Sequence, residues 1–167
     1  MLHKILSKLD SIKPFPEAKA HCDIPCGIYD PITAQIAALT VIRMVDLIEE
    51  LEKTHGDNKD AEYHNSIARY VMVKEEHGIK CKEEIRIIWG EYMKPHHIEQ
   101  FPELHSIAFN IMQIGSKAKQ TVDREAAVQL LEEVNKFAEI FWKTKGIETK
   151  RVKAPYPPNE EVVYPVL

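Results

Sequence analysis

From Asp30 to Gly146 the apolar residues recur every three or four positions, and helix breakers cut the pattern into four runs. That spacing lays the apolar side chains along one face of a helix, and four such faces must be buried against one another. The first run opens at Asp30-Pro31, an N-cap followed by proline at the first helical position. It carries Val41, Met44, Val45, Ile48 and Leu51 and stops at Gly56-Asp57-Asn58. The second extends from about Asp60 to Met93, with Ile67, Tyr70, Val71, Ile85, Ile88, Trp89 and Tyr92 (and Lys74 on the same pattern), and stops before Pro95. Gly78 interrupts it and predicts a bend. The third begins near Pro102 and holds Leu104, Ile107, Ala108, Ile111 and Met112. The fourth covers about Asp123 to Lys145, with Ala127, Leu130, Leu131, Val134, Phe137 and Phe141 facing inward and Gly146 suited to C′. Short connections between such helices predict an all-α fold, an antiparallel four-helix bundle.

The tail from Ile147 to Leu167 reads differently. Pro155, Pro157, Pro158 and Pro165 exclude helix, while Tyr156, Val162, Val163 and Tyr164 offer apolar anchors. An extended arm on its own domain or on a neighbour is expected, or a disordered tail. At 167 residues the chain suffices for one domain with a core of its own. The net charge of −4 gives no nucleic-acid footprint. No apolar run approaches the ~20 residues that span a bilayer. Three cysteines, an odd count, argue against a disulfide scaffold and for a reducing, cytoplasmic setting.

Residues 1–20 form a segment apart. Leu2, Ile5, Leu6, Leu9 and Ile12 recur at helical spacing among Lys4, Lys8 and Lys13, and Pro14 and Pro16 end the pattern. The lysines deny it the continuous apolar stretch of a secretory signal. It reads either as an ordinary N-terminal helix with a linker or as a leader removed after Ala18-Lys19-Ala20. Residues 21–146 then form the functional domain and 147–167 the proline-rich arm.

Directly after that small-x-small site stands His21-Cys22-Asp23-Ile24-Pro25-Cys26-Gly27-Ile28-Tyr29-Asp30-Pro31, which spends two of the three cysteines within six residues. So short a segment cannot bury a core of its own, and its soft donors point to a metal ion. In a chain that begins at His21, the free amine, the imidazole, and the amide nitrogen and thiolate of Cys22 radiate from two adjacent residues. Fused chelate rings from amine, amide and thiolate enforce a planar arrangement, which suits Ni(II) or Cu(II) where zinc prefers a tetrahedron. Cys26 supplies a further in-plane thiolate once the chain turns back. Pro25, with fixed φ, and Gly27, tolerant of φ > 0, suit that reversal. Anionic thiolate and amide donors push electron density onto the metal and bring Ni(III) into reach, and an axial imidazole stabilises it further.

The motif resembles the metal-binding hook of the nickel-containing superoxide dismutases. The likeness continues at Lys74-Glu75-Glu76, at Trp89-Gly90-Glu91-Tyr92-Met93-Lys94-Pro95, at Phe101-Pro102-Glu103-Leu104-His105 and at Phe141-Trp142-Lys143-Thr144-Lys145. The resemblance implies a four-helix bundle with an N-terminal hook, a homohexamer, and a protease that removes a leader to free the histidine amine. It implies one nickel ion per chain and the conversion of two superoxide ions and two protons to dioxygen and hydrogen peroxide. It assigns His21 (amine and imidazole), Cys22 (amide and thiolate) and Cys26 (thiolate) to the metal. Tyr29 is then at the mouth of the site, Tyr92 is a nearby phenol, and Asp23 holds the hook's backbone. The family orients its histidine through a glutamate and an arginine, at whose places this chain has Ala37 and His77. Lys94 is the local candidate for steering an anionic substrate.

Other residues have plainer readings. His96, His97 and His105 read as surface or helix-capping side chains, Cys81 as a small buried apolar residue, and Trp89 and Trp142 as core or interface anchors. Two rival functions share the hook: a non-enzymatic helical protein holding zinc or copper, and a thiol redox protein cycling Cys22 and Cys26. The second is disfavoured by a spacing one residue longer than the usual redox pair.

Overall fold

A computed structural model describes residues 27–167, so residues 1–20, read as a leader or an N-terminal helix, and His21, Cys22, Asp23 and Cys26 lie outside the described residues. Four long helices carry the fold: α1 (Ile32–His55), α2 (Ala61–Ile87), α4 (Leu104–Gln120) and α5 (Arg124–Thr144). A short α3 (Pro95–Gln100) precedes α4. Helix ends follow local chemistry. The Asp30 carboxylate accepts the Ile32 N–H at 2.8 Å, the Asp60 carboxylate that of Tyr63 at 2.9 Å, and the Asp123 carboxylate that of Ala126 at 3.0 Å. Each relieves an N–H that the first helical turn leaves without an intrahelical partner.

The helices close into a square in which α1 touches α2 and α5, and α4 touches α2 and α5. Side-chain pairs fix the directions. Gln35 meets Asn135 and Asp46 meets Arg124, so α1 and α5 run antiparallel. Lys74 reaches Lys119 while Lys82 reaches Ser116, so α2 and α4 do too. Short loops reverse the chain between α1 and α2 and between α4 and α5. The antiparallel bundle read from the apolar pattern is therefore the fold observed. Phe137, Phe141, Ile42, Ile85, Leu104, Ile111 and Leu130 lie in its core, each fully buried large side chain contributing about 1.5–3 kcal/mol. No helix among the described residues is long and apolar enough to cross a membrane.

Three sequence expectations are corrected. Gly78 does not interrupt α2, which runs as one α-helix from Ala61 to Ile87. A Cβ there would lie 2.7 Å from Cβ of Lys119, so glycine is needed for close approach of α4. The second helix does not continue in α form to Met93. It ends at Ile87 and passes into a π-helical turn, Ile88–Tyr92, in which the Met93 N–H reaches back five residues to the Ile88 carbonyl at 3.1 Å. Of the two readings of the tail, the disordered one is overturned: the tail is extended and packs on its own domain. It forms an antiparallel hairpin, β1 (Thr149–Lys153) paired with β2 (Glu161–Pro165), Val152 opposite Val162.

The hairpin lies on the chain's own bundle. Val162 and Val163 are buried in the core cluster. Gln35 of α1 donates to the Asn135 side-chain oxygen at 3.0 Å and to the Val163 carbonyl at 3.1 Å, and Asn135 donates to the Glu161 carbonyl at 2.8 Å. Two amides buried in the core thus find partners in the strand that covers them. Arg151 of β1 adds a two-pronged contact to Glu132 and one to Glu139.

Lys74, on the bundle-facing side of α2, is 2% exposed. Its ammonium donates to the carbonyls of Ala118, Lys119 and Thr121 at the end of α4. Those carbonyls lack intrahelical donors, and the negative end of the helix dipole favours the cation. Burial holds the Lys74 pKa below its ordinary value. Because Lys119 is also tied to Glu75, it has little room to yield to a new methyl group at position 78. Gly78→Ala should therefore destabilise the fold, the overpacking cost of about 1–3 kcal/mol exceeding the ~1 kcal/mol that alanine gains in a helix. A lower midpoint in urea denaturation is the expected result.

Candidate functional site

Gly27 is the first described residue of the metal-hook motif. Its φ is +72°, the left-handed region expected of the chain reversal, and a Cβ at that position would meet nothing within 4 Å among the described residues. Backbone conformation is therefore what glycine supplies there. Two residues on, Tyr29 meets Tyr92 with ring centroids 5.5 Å apart, and its phenol donates to Glu91 Oε2 at 3.3 Å. The two tyrosines singled out in the sequence, 63 positions apart, thus stand together where the hook joins the bundle.

The π-helical turn places Tyr92. From the middle of α2 a buried stripe runs through Lys74, Gly78, Cys81 and Ile85 to Ile88 in the π turn, and its next α-helical member would be Tyr92. The wider turn carries the stripe to Met93 instead, which is 7% exposed, and leaves Tyr92 half-buried at the rim. Single π turns occur often at functional sites because they re-aim one side chain without ending the helix.

Four further groups frame Tyr92. His97 stacks on it at 5.5 Å with an interplanar angle of 19°. Phe141 packs at 5.0 Å, and the Lys145 ammonium sits 4.8 Å from the ring centroid, within cation–π range. The phenol shares a 2.8 Å hydrogen bond with the Thr144 hydroxyl. His97 accepts the Lys94 N–H on Nδ1 at 3.2 Å and so caps α3, as its capping reading anticipated. That contact requires an unprotonated Nδ1. Burial, reinforced by the charges of His96 and Lys94, lowers the His97 pKa and favours that form. Lys94, the steering candidate, is anchored by its own ammonium to the Glu91 carbonyl at 2.8 Å.

Sequence reasoning found Tyr29, Tyr92 and Lys94 but missed Glu91, Thr144 and Lys145. The last two lie at the end of α5, 52 and 53 positions beyond Tyr92. Only the closing of the bundle brings them there; their one signal was the Phe141–Lys145 stretch quoted for the resemblance. Ala37 is 1% exposed in the core. His77 donates from Nδ1 to the Val73 carbonyl of its own helix at 2.9 Å. Neither offers a carboxylate or guanidinium for orienting a histidine.

Beside the tyrosines, Trp89, Met93, Lys94, Pro95, Ile98 and Pro102 help to line an apolar groove of about 660 Å³. Trp89 donates there to His105 Nδ1 at 3.0 Å, so the groove's wall is fixed by a hydrogen bond between α2's extension and α4. Among the described residues, no cluster of three or more His, Cys, Asp or Glu side chains is placed to hold a metal.

Residues 16–145 match the family described as nickel-containing superoxide dismutase. The chain belongs to that family. The nickel superoxide dismutases of Streptomyces seoulensis and Streptomyces coelicolor are each 30% identical to it over 141 residues, covering 84% of this chain and 98% of theirs. A native nickel superoxide dismutase structure at 1.30 Å is 31% identical, with a TM-score of 0.60, and covers 75% of this chain and 99% of its own. Another, with nickel ligation corresponding to partial X-ray-induced reduction, gives 31% and a TM-score of 0.63. Nickel is the family's metal, and the sequence fits it: the motif from His21 to Pro31 retains one imidazole and two thiols, and its described end has the glycine conformation that a chain reversal needs.

Cys81 stands apart from this chemistry. It is fully buried in α2, as its apolar reading anticipated, and burial pushes its thiol pKa up from 9.0 to about 12. A raised pKa keeps the folded thiol neutral where the unfolded one ionises. Its contribution to stability is thus complete below pH 9 and is lost as the pH climbs towards about 12. A Cys22→Ser/Cys26→Ser double variant should show no fast-reacting thiol towards a disulfide reagent at pH 8. One thiol per chain should appear on unfolding.

Proposed function

We propose that the mature chain begins at His21 and disproportionates superoxide at one nickel ion held by His21, Cys22 and Cys26. One observation carries the reading: the family match runs through a complete His21–Pro31 motif, whose tyrosine packs at 5.5 Å against Tyr92. Nickel bound to such donors would supply a one-electron Ni(II)/Ni(III) couple, the redox chemistry that superoxide disproportionation needs. The chain's own residues have distinct tasks around it. Cys22 binds through its thiolate and deprotonated amide, and Cys26 through its thiolate. His21 binds through its freed amine and, in the oxidised state, its imidazole. Asp23 holds the backbone of the hook.

Tyr29 and Tyr92 stand on the approach, where their rings narrow access and their oxygens order water. The substrate is an anion and the chain is acidic, so attraction has to be local. Lys94 and Lys145 supply that local positive charge. The same reading carries with it a leader-processing protease, a homohexamer and action in the cytoplasm.

Amine ligation makes processing the decisive test. Intact mass of the native protein should show loss of residues 1–20, and gentle ionisation should retain one nickel per chain. The purified precursor should neither bind nickel in this way nor dismute superoxide; an active precursor would overturn the amine assignment. Cys22→Ser and Cys26→Ser should each abolish activity. Removing a mere outer-shell partner of a metal ligand costs about 10–100-fold, so losing a ligand should cost more. Recovery of the native protein with zinc or copper and no nickel would favour the non-enzymatic alternative.

A further inference from the structure

The hydrogen bonds around the tyrosine pair have a fixed direction. The Thr144 hydroxyl donates to the Phe141 carbonyl at 2.6 Å, and that carbonyl can only accept. A threonine hydroxyl has one proton. In the 2.8 Å contact between Thr144 and Tyr92, the proton must therefore come from Tyr92. The phenol's proton points into the end of α5, and what remains for solvent or a ligand is its lone pairs. Tyr29 shows the same polarity, its phenol donating to Glu91 Oε2 at 3.3 Å.

We propose that Thr144 is a positioning residue that turns Tyr92 into a hydrogen-bond acceptor. The entrance then receives species carrying O–H or N–H groups, water and hydrogen peroxide among them, and offers no phenol proton to a small anion. The proposal rests on the reading of this site as a superoxide dismutase entrance. It reverses the simplest expectation for a phenol beside an anionic substrate, which is donation. Attraction of the anion is left to the ammonium groups, including Lys145 at 4.8 Å from the Tyr92 ring centroid. No proton, electron or covalent bond is transferred in this role; Thr144 sets only where the phenol's O–H points.

Tyrosine ζ-carbon NMR of the full-length, metal-free chain tests this independently of dismutase activity. Azide serves as the small-anion probe. In the wild-type chain, added azide should leave the Tyr92 resonance in place. Thr144→Val keeps the side-chain shape but removes the hydroxyl, so the phenol is released to point outward. Its resonance should move in that variant and should respond to azide, with apparent anion affinity raised about tenfold or more, the worth of one hydrogen bond to a charged group. Thr144→Ser retains the hydroxyl and should behave as wild type, which separates hydrogen bonding from packing. The proposal is overturned if the wild-type Tyr92 responds to azide as strongly as the valine variant. It is equally overturned if the serine variant resembles the valine one. Should the NMR results hold while the nickel-loaded, processed protein fails to dismute superoxide, the functional reading falls and the phenol's polarity stands.

Discussion

A single wide turn at the end of α2 sets the geometry on which the site depends. Ile88 and Met93 both point into the core, five residues apart, and the helix between them opens to a π turn to make that possible. In a regular α-helix the fifth residue lies well off the buried stripe, and Tyr92 would have occupied the core position instead. The turn thus exchanges a methionine for a tyrosine in the apolar interior. That exchange is favourable for burial, because a phenol needs a polar partner and a thioether does not. It is also what leaves the Tyr92 oxygen at the rim, within reach of Thr144, and its ring against Tyr29.

The tyrosines are held from three directions of the chain. Tyr29 arrives from the segment before α1, Tyr92 from the end of α2, and Thr144 with Lys145 from the end of α5. The distance between these groups is fixed by the packing of α1 against both α2 and α5. The buried Gln35–Asn135 pair and its link to β2 resist sliding of α1 along α5, since any shift would leave two amides unpartnered in the core. The C-terminal hairpin, remote in sequence from the hook, therefore helps to fix the frame in which the hook's tyrosine meets Tyr92.

How much of this could be read beforehand follows from how local each cause is. Helix faces and caps were legible because spacing and a neighbouring carboxylate decide them; Asp30, Asp60 and Asp123 all act within three residues of their own position. The reason for Gly78 was not legible, because it lies in a contact with Lys119 on another helix. The hairpin was hidden for a related reason. Its strands are short, its link is rich in proline, and the groups that hold it, Gln35, Asn135 and Glu132, are scattered over two helices. At the site, donor chemistry singled out His21, Cys22 and Cys26, and the resemblance singled out both tyrosines. The direction of the phenol protons needed coordinates, since it follows from one carbonyl, that of Phe141, lying 2.6 Å from a threonine hydroxyl.

The two departures from the family pattern fit a division of labour between the bundle and the hook. Ala37 makes the inward face of α1 wholly apolar at that point, and His77 spends its Nδ1–H on its own helix. A carboxylate in place of Ala37 would need a cation beside it, because an unpaired buried charge costs several kcal/mol. A core without that charge pair is easier to close, and it gives a metal-bound imidazole no fixed ionic partner from these two positions. At the rim, Glu91, Lys94 and Lys145 carry charges close to the tyrosine pair. Those groups sit closer to water than a buried pair does, so their influence is screened by salt within about 10 Å at 0.1 M. Any attraction that these exposed charges exert on an anion beside the tyrosine pair should therefore weaken as ionic strength rises.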